Sequence, residues 1–107
     1  IFNDLHSLAN EHGVAVQASD VFVLAQRFLL ALPSDVVAPE LAMDSDGEVL
    51  FDWAGFDGSM LSISLRGDGR LSYASRVSAY DKDHGVKQFA DLVPQSILEM
   101  VQRISKR

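Results

Sequence analysis

Hydrophobic positions follow two different periods along the 107 residues, and the change between them divides the chain. From Ser19 to Leu32, the apolar positions Val21, Leu24, Ala25, Phe28, Leu29 and Leu32 recur at three- and four-residue steps, the spacing of one helix face. Ser19 offers an N-cap oxygen, Asp20 puts a negative charge in the first turn, and Pro33-Ser34 ends the run. The spacing predicts a helix over 19–32. Ile97, Leu98, Val101 and Ile104 repeat the period behind Pro94, which suits a first helical position, and ahead of Lys106 and Arg107, where cations favour a C-terminus. That predicts a helix over 94–106. Ile1, Phe2, Leu5, Leu8 and Ala9 carry the same spacing up to Gly13 and predict a helix over 1–12, while residues 14–18 fit neither period.

Between about Pro39 and Tyr80 the period drops to two, and Asp-Gly dipeptides punctuate it at Asp46-Gly47, Asp57-Gly58 and Asp68-Gly69, eleven residues apart each time. Asp-Gly marks a hairpin because glycine accepts positive φ without steric cost. The loop length follows from the side chains. A one-residue slip moves every side chain to the wrong face. A two-residue Asp57-Gly58 loop would oppose Trp53 to Ser62, whereas a three-residue Phe56-Asp57-Gly58 loop opposes Trp53 to Leu61, Phe51 to Ile63 and Val49 to Leu65. The same rule at Ser45-Asp46-Gly47 and Gly67-Asp68-Gly69 pairs Leu41 with Phe51, Met43 with Val49, Leu65 with Leu71 and Ile63 with Tyr73. All three loops then have one form, a type I turn with glycine third in the left-handed conformation. Strands are expected over about 39–44, 48–55, 59–66 and 70–80, with Pro39 tolerated because its strand is an edge.

The expected fold class is α+β: a two-layer domain with a four-stranded antiparallel meander, order 1-2-3-4, and helices 19–32 and 94–106 packed on one face. The inner rows read Leu41-Phe51-Ile63-Tyr73, Met43-Val49-Leu65-Leu71 and Pro39-Trp53-Leu61-Ser75. The outer rows read Glu40-Asp52-Ser62-Ala74, Ala42-Leu50-Ser64-Ser72 and Asp44-Glu48-Arg66-Arg70, the last placing Glu48 opposite Arg66. Beyond Tyr80, residues 81–85 read as a loop, and 86–91 fit no element.

Composition sharpens this picture in a few places. Length and hydrophobic content (48%) fit one ordinary globular domain. No cysteine is present, which excludes disulfides and thiolate metal sites and points to a cytoplasmic setting. The apolar run Val21–Ala25 lies in a wider segment, Val21–Leu32, that is interrupted by Gln26 and Arg27 and is too short to span a bilayer. No signal sequence opens the chain, and Ile1 in place of Met leads us to expect a missing leader. The net charge of −6 disfavours nucleic acid, whose phosphates dominate its affinity, and suits a basic protein surface.

Candidate chemistry is sparse. Asp81, Asp83 and His84 offer metal-ligating atoms within four residues, but no distant ligand completes a closed site, so they read as a solvated turn. Asp44-Ser45-Asp46-Gly47-Glu48 fails the EF-hand pattern because its glycine stands fourth. Glu40 and Asp52 face each other as a carboxylate pair on an open surface. His6 and His12 lack the i, i+4 spacing of a helical metal site, and Arg66-Gly67-Asp68 reads as turn chemistry. No catalytic, cofactor or metal residue is assigned.

The sequence Leu32-Pro33, Pro39, Asp46-Gly47, Trp53, Asp68-Gly69, Tyr73 resembles a pattern in small uncharacterised bacterial proteins, across a little over half of the chain. These motifs are structural, and the resemblance brings no activity and no functional residue with it.

The outer face is flat, built of small residues, and dotted with apolar points, features that suit a protein interface. The expected interface is Ala42, Leu50, Asp52, Met60, Ser62, Ser64, Ser72, Ala74, Arg76 and Tyr80. The expected function is a non-catalytic protein-binding module of inhibitor, antitoxin or immunity type. The alternative is a structural homodimer paired through the outer face or the Pro39 edge, and a metal-dependent enzyme ranks behind both.

Overall fold

A computed structural model describes residues 20–55, 58–77, 81–89 and 92–105. The expected helix over 1–12 and the Ser19 cap lie outside these residues. The described elements are helix α1 (Asp20–Ala31), strands β1 (Glu40–Met43), β2 (Val49–Ala54), β3 (Met60–Leu65), β4 (Arg70–Arg76) and β5 (Lys82–Gln88), and helix α2 (Gln95–Ser105). The strands form one antiparallel sheet in the order β1-β2-β3-β4-β5.

Each Asp-Gly turn closes with the same pair of backbone bonds. The amides of Asp44, Gly55 and Arg66 donate to the carbonyls of Glu48, Ser59 and Arg70 at 3.1, 2.8 and 2.9 Å. The amides of Gly47, Gly58 and Gly69 donate back to the carbonyls of Asp44, Gly55 and Arg66 at 3.2, 3.3 and 3.0 Å. The three glycines hold φ of 82°, 84° and 88°, the left-handed region that the third loop position demands. The Oδ1 of Asp44 accepts the amides of Asp46 and Glu48, and the Oδ1 of Asp68 accepts that of Arg70, so the acidic side chains stiffen two of these turns. The register is the one the side-chain pattern requires: Leu41↔Phe51, Trp53↔Leu61, Phe51↔Ile63, Ile63↔Tyr73 and Leu65↔Leu71 all face one another.

Four strands were expected and five are present among the described residues. The loop reading of 81–85 is corrected: β5 pairs with β4 from Arg70↔Gln88 to Arg76↔Lys82. The Val77 amide donates to the Asp81 carbonyl at 2.8 Å and closes this fourth hairpin. Its connecting residues are Ser78-Ala79-Tyr80, without an Asp-Gly to announce them.

The apolar rows are buried against the helices, and both α1 and α2 pack on β2 and β3. Phe22, Ala25 and Phe28 of α1 and Ile97 and Val101 of α2 lose all contact with water, as do Val49, Phe51, Leu61, Leu65 and Leu71 of the sheet. At roughly 1.5–3 kcal/mol for each large side chain, this burial is the main favourable term. Phe28 sits at its centre, 4.8 Å from Phe51 and 5.6 Å edge-on from Phe89, measured between ring centroids. The indole N–H of Trp53 donates to the Val37 carbonyl at 2.7 Å and pins the chain that enters β1. Pro94 stands immediately before α2 rather than in its first turn, and its carbonyl accepts the amides of Ile97 and Leu98.

Gly69 does more than turn the chain. The Phe89 amide donates to its carbonyl at 2.8 Å, and a side chain at Gly69 would meet the Phe89 carbonyl oxygen at 2.5 Å. A Cβ at Gly47 would meet nothing within 4 Å. Gly47→Ala is therefore expected to cost only the positive-φ strain, roughly 1 kcal/mol, and Gly69→Ala about 3 kcal/mol, because a backbone clash is added. Urea unfolding of the two variants checks the difference.

Candidate functional site

The fifth strand widens the outer face of the sheet. Because strand side chains alternate, the even-numbered residues of all five strands share that face. Its rows run Ala42-Leu50-Ser64-Ser72-Val86, Glu40-Asp52-Ser62-Ala74-His84 and Ala54-Met60-Arg76-Lys82. Both described helices cover the opposite face. Ala42, Leu50, Asp52, Ser62, Ser64 and Ser72 are half-buried, and Met60, Ala74 and Arg76 are exposed. The structure thus brings together nine of the ten residues expected from the sequence. Tyr80 lies outside the described residues.

His84 and Val86 were missing from the expected surface. Val86 is 52% exposed, in line with Leu50 and the two serines, and His84 extends the row of Asp52. The signal was faint: one apolar residue among seven in Lys82–Gln88, with Gly85 falling opposite Tyr73.

Charge is sorted across the face. Glu40 and Asp52 stand directly opposite each other on β1 and β2, while Arg76 and Lys82 stand opposite each other on β4 and β5. Hydroxyls and small apolar groups occupy the ground between. Five strands at about 4.8 Å and six residues at about 3.3 Å make a surface of roughly 24 by 20 Å, a good part of what one partner contributes to a standard interface. The expected Glu48–Arg66 pair is replaced by a contact of Arg66 with Asp68 at 3.6 Å within its own turn. Such an exposed pair contributes little.

The metal candidates come apart. Asp83 and His84 are adjacent strand residues and project to opposite faces, so they cannot share an ion. Asp81 approaches Arg103 of α2 at 3.7 Å. The carboxylates of Asp44, Asp46 and Glu48 come within 4.8 Å of one another, but the backbone bonds that Asp44 accepts account for that cluster as turn structure.

On the inner face, β5 lies outside the helix layer, and Asp83, Gly85 and Lys87 extend rows that are, apart from Ser75, apolar or aromatic on β2 to β4. The Tyr73 ring lies across Gly85, where a Cβ would meet its hydroxyl at 2.8 Å. Its O–H donates to Asp83 Oδ2 at 3.3 Å. Aromatic cover of an edge glycine restores the packing that the glycine lacks.

No family model, curated protein or solved structure matches the chain. Among the described residues, no helix is long and apolar enough to cross a membrane.

Desolvation in this position, then the charge of Asp83 and its hydrogen bond, raise the Tyr73 phenol above the ordinary 10.0. The folded protein holds this proton more tightly than the unfolded chain, so its contribution to stability is complete below pH 10.0 and is lost as pH rises through the folded-state value. Absorbance titration of the phenolates is expected to show one tyrosine titrating late, with Asp83→Asn moving it part of the way back.

Proposed function

We propose that this domain is a non-catalytic protein-binding module that receives its partner on the outer sheet face, an inhibitor, antitoxin or immunity-type protein being its concrete form. One observation carries the reading: a five-stranded surface of serines and small apolar residues with no described helix over it, bounded by charges of opposite sign on its two sides. Small side chains let a partner approach the sheet closely. Leu50, Met60 and Val86 supply apolar anchors, and the edges sort orientation through charge.

The side of the partner that meets Glu40 and Asp52 is basic, in keeping with the net charge of −6. The buried polar side chains among the described residues are Ser59 and Ser75, and the charged side chains whose burial is described remain at least partly in water. Such groups suit steering and contact better than proton transfer, which draws on desolvated groups. We place the domain in the cytoplasm on the absence of cysteine.

The test uses the protein that co-purifies with the chain from its native host, with affinity measured against purified partner. Leu50→Glu and Ser64→Arg are each expected to weaken binding by about ten- to hundredfold, as loss of an interface centre does. Leu30→Glu, at a position of α1 that is 67% exposed, is expected to leave it unchanged. Equal binding by the two face variants and the parent would overturn the reading.

A further inference from the structure

The outer edge of β5 has a phase. The bonds Val77 N–H to Asp81 C=O and Phe89 N–H to Gly69 C=O, taken with the register Tyr73↔Gly85, turn the amides and carbonyls of Asp83, Gly85 and Lys87 towards β4. Those of Lys82, His84, Val86 and Gln88 consequently point away from the sheet, and β5 is the last strand in its order. Four alternate residues facing outward make an edge able to accept another strand.

From these groups we propose that β5 pairs with β5 of a second copy of this chain, antiparallel, about a twofold axis through Gly85. The backbone phase admits only registers that place outward residues opposite one another. Centring on Gly85 sets His84 against Val86 and Lys82 against Gln88 as hydrogen-bonded pairs, each formed twice and each exchanging two bonds. In the same register Asp83 falls opposite Lys87, also twice, in the non-bonded positions where side chains approach most closely, at about 4.5 Å between Cα atoms. Shifting the centre to His84 sets Asp83 against Gly85, and shifting it to Val86 sets Lys87 against Gly85. Both forfeit the charge pairs. One register therefore satisfies backbone and charge together.

Gly85 fits the axis. The two glycines would face each other with no side chain between them, while each Tyr73 ring covers its own glycine and holds the neighbouring Asp83 by its hydroxyl. Charged residues on an edge strand ordinarily guard it against pairing. Here an acid and a base lie symmetrically two residues either side of a glycine, so the guard against other strands is a register selector for this one. The β1 edge is a poorer candidate: it has four residues and is preceded by Pro39, which has no amide to offer. The expected pairing through the Pro39 edge thus moves to the opposite side of the sheet. Pairing there leaves both outer faces open and joins them into one ten-stranded surface, and it does not depend on the partner-binding reading.

Sedimentation of the purified chain over a range of concentrations tests this. The parent is expected to form a reversible dimer. Asp83→Lys and Lys87→Asp alone each oppose like charges and are expected to raise the dissociation constant by about tenfold or more. The exchange Asp83→Lys with Lys87→Asp is expected to restore it. Circular dichroism of each variant confirms that the fold is intact. A second readout keeps the test independent of Tyr73: Val86→Pro removes an outward amide without touching the β4 ladder, and is expected to give monomer. A parent that stays monomeric at all concentrations, or a folded double exchange that dimerises no better than the single variants, would overturn the proposal.

Discussion

The bond that returns from each turn glycine to the residue three positions before it, made possible by positive φ at Gly47, Gly58 and Gly69, governs the rest of this molecule. It fixes the turns at three loop residues, and the turn length fixes which residues oppose each other. With that register, Phe51, Ile63, Leu61 and Leu65 share one face and Asp52, Ser62 and Ser64 the other. A slip by one residue would exchange the two sets and place serines and aspartate under Phe28. The helices then need only an apolar stripe each, which α1 and α2 supply through Phe22, Ala25, Phe28, Ile97 and Val101.

The sequence was informative wherever local chemistry and burial pointed the same way. Glycine at a turn and alternation along a two-faced strand carry independent information, and their agreement made three registers readable without any structure. The fourth hairpin lacked both signals. Ser78-Ala79-Tyr80 contains no residue that announces positive φ, and β5 stands clear of the helix layer, so nothing selects apolar side chains on its inner face. Phe89 shows the same limit differently: it is buried against Phe28 at the end of β5, where no run of apolar residues flags it. Phe22 is buried outside the predicted helix stripe because α1 is apolar on more than one side. The outer face was largely readable because it follows from register alone. Its width was not, because that needed β5.

Face and edge are separate surfaces of one sheet, and they differ in what specifies them. The face is specified loosely, by small side chains, three apolar points and sorted charge, which suits the proposed role of receiving a partner. The edge is specified tightly, by backbone phase, by Asp83 and Lys87, and by a glycine that Tyr73 covers from the inner side. Tyr73 links core to edge: it carries the inner row that begins at Leu41 up to Gly85, and its hydroxyl bonds a carboxylate on the strand that forms the edge.

Register is the claim on which the face, the edge and the core all stand, and nuclear Overhauser effects between α-protons read it directly. Non-bonded antiparallel pairs bring those protons close. Cross-peaks are expected for Leu41 with Phe51, Leu50 with Ser64, Ile63 with Tyr73 and Ala74 with His84, in that combination. Cross-peaks displaced by one residue on any of these strands, or none between residues 70–76 and 82–88, would contradict it.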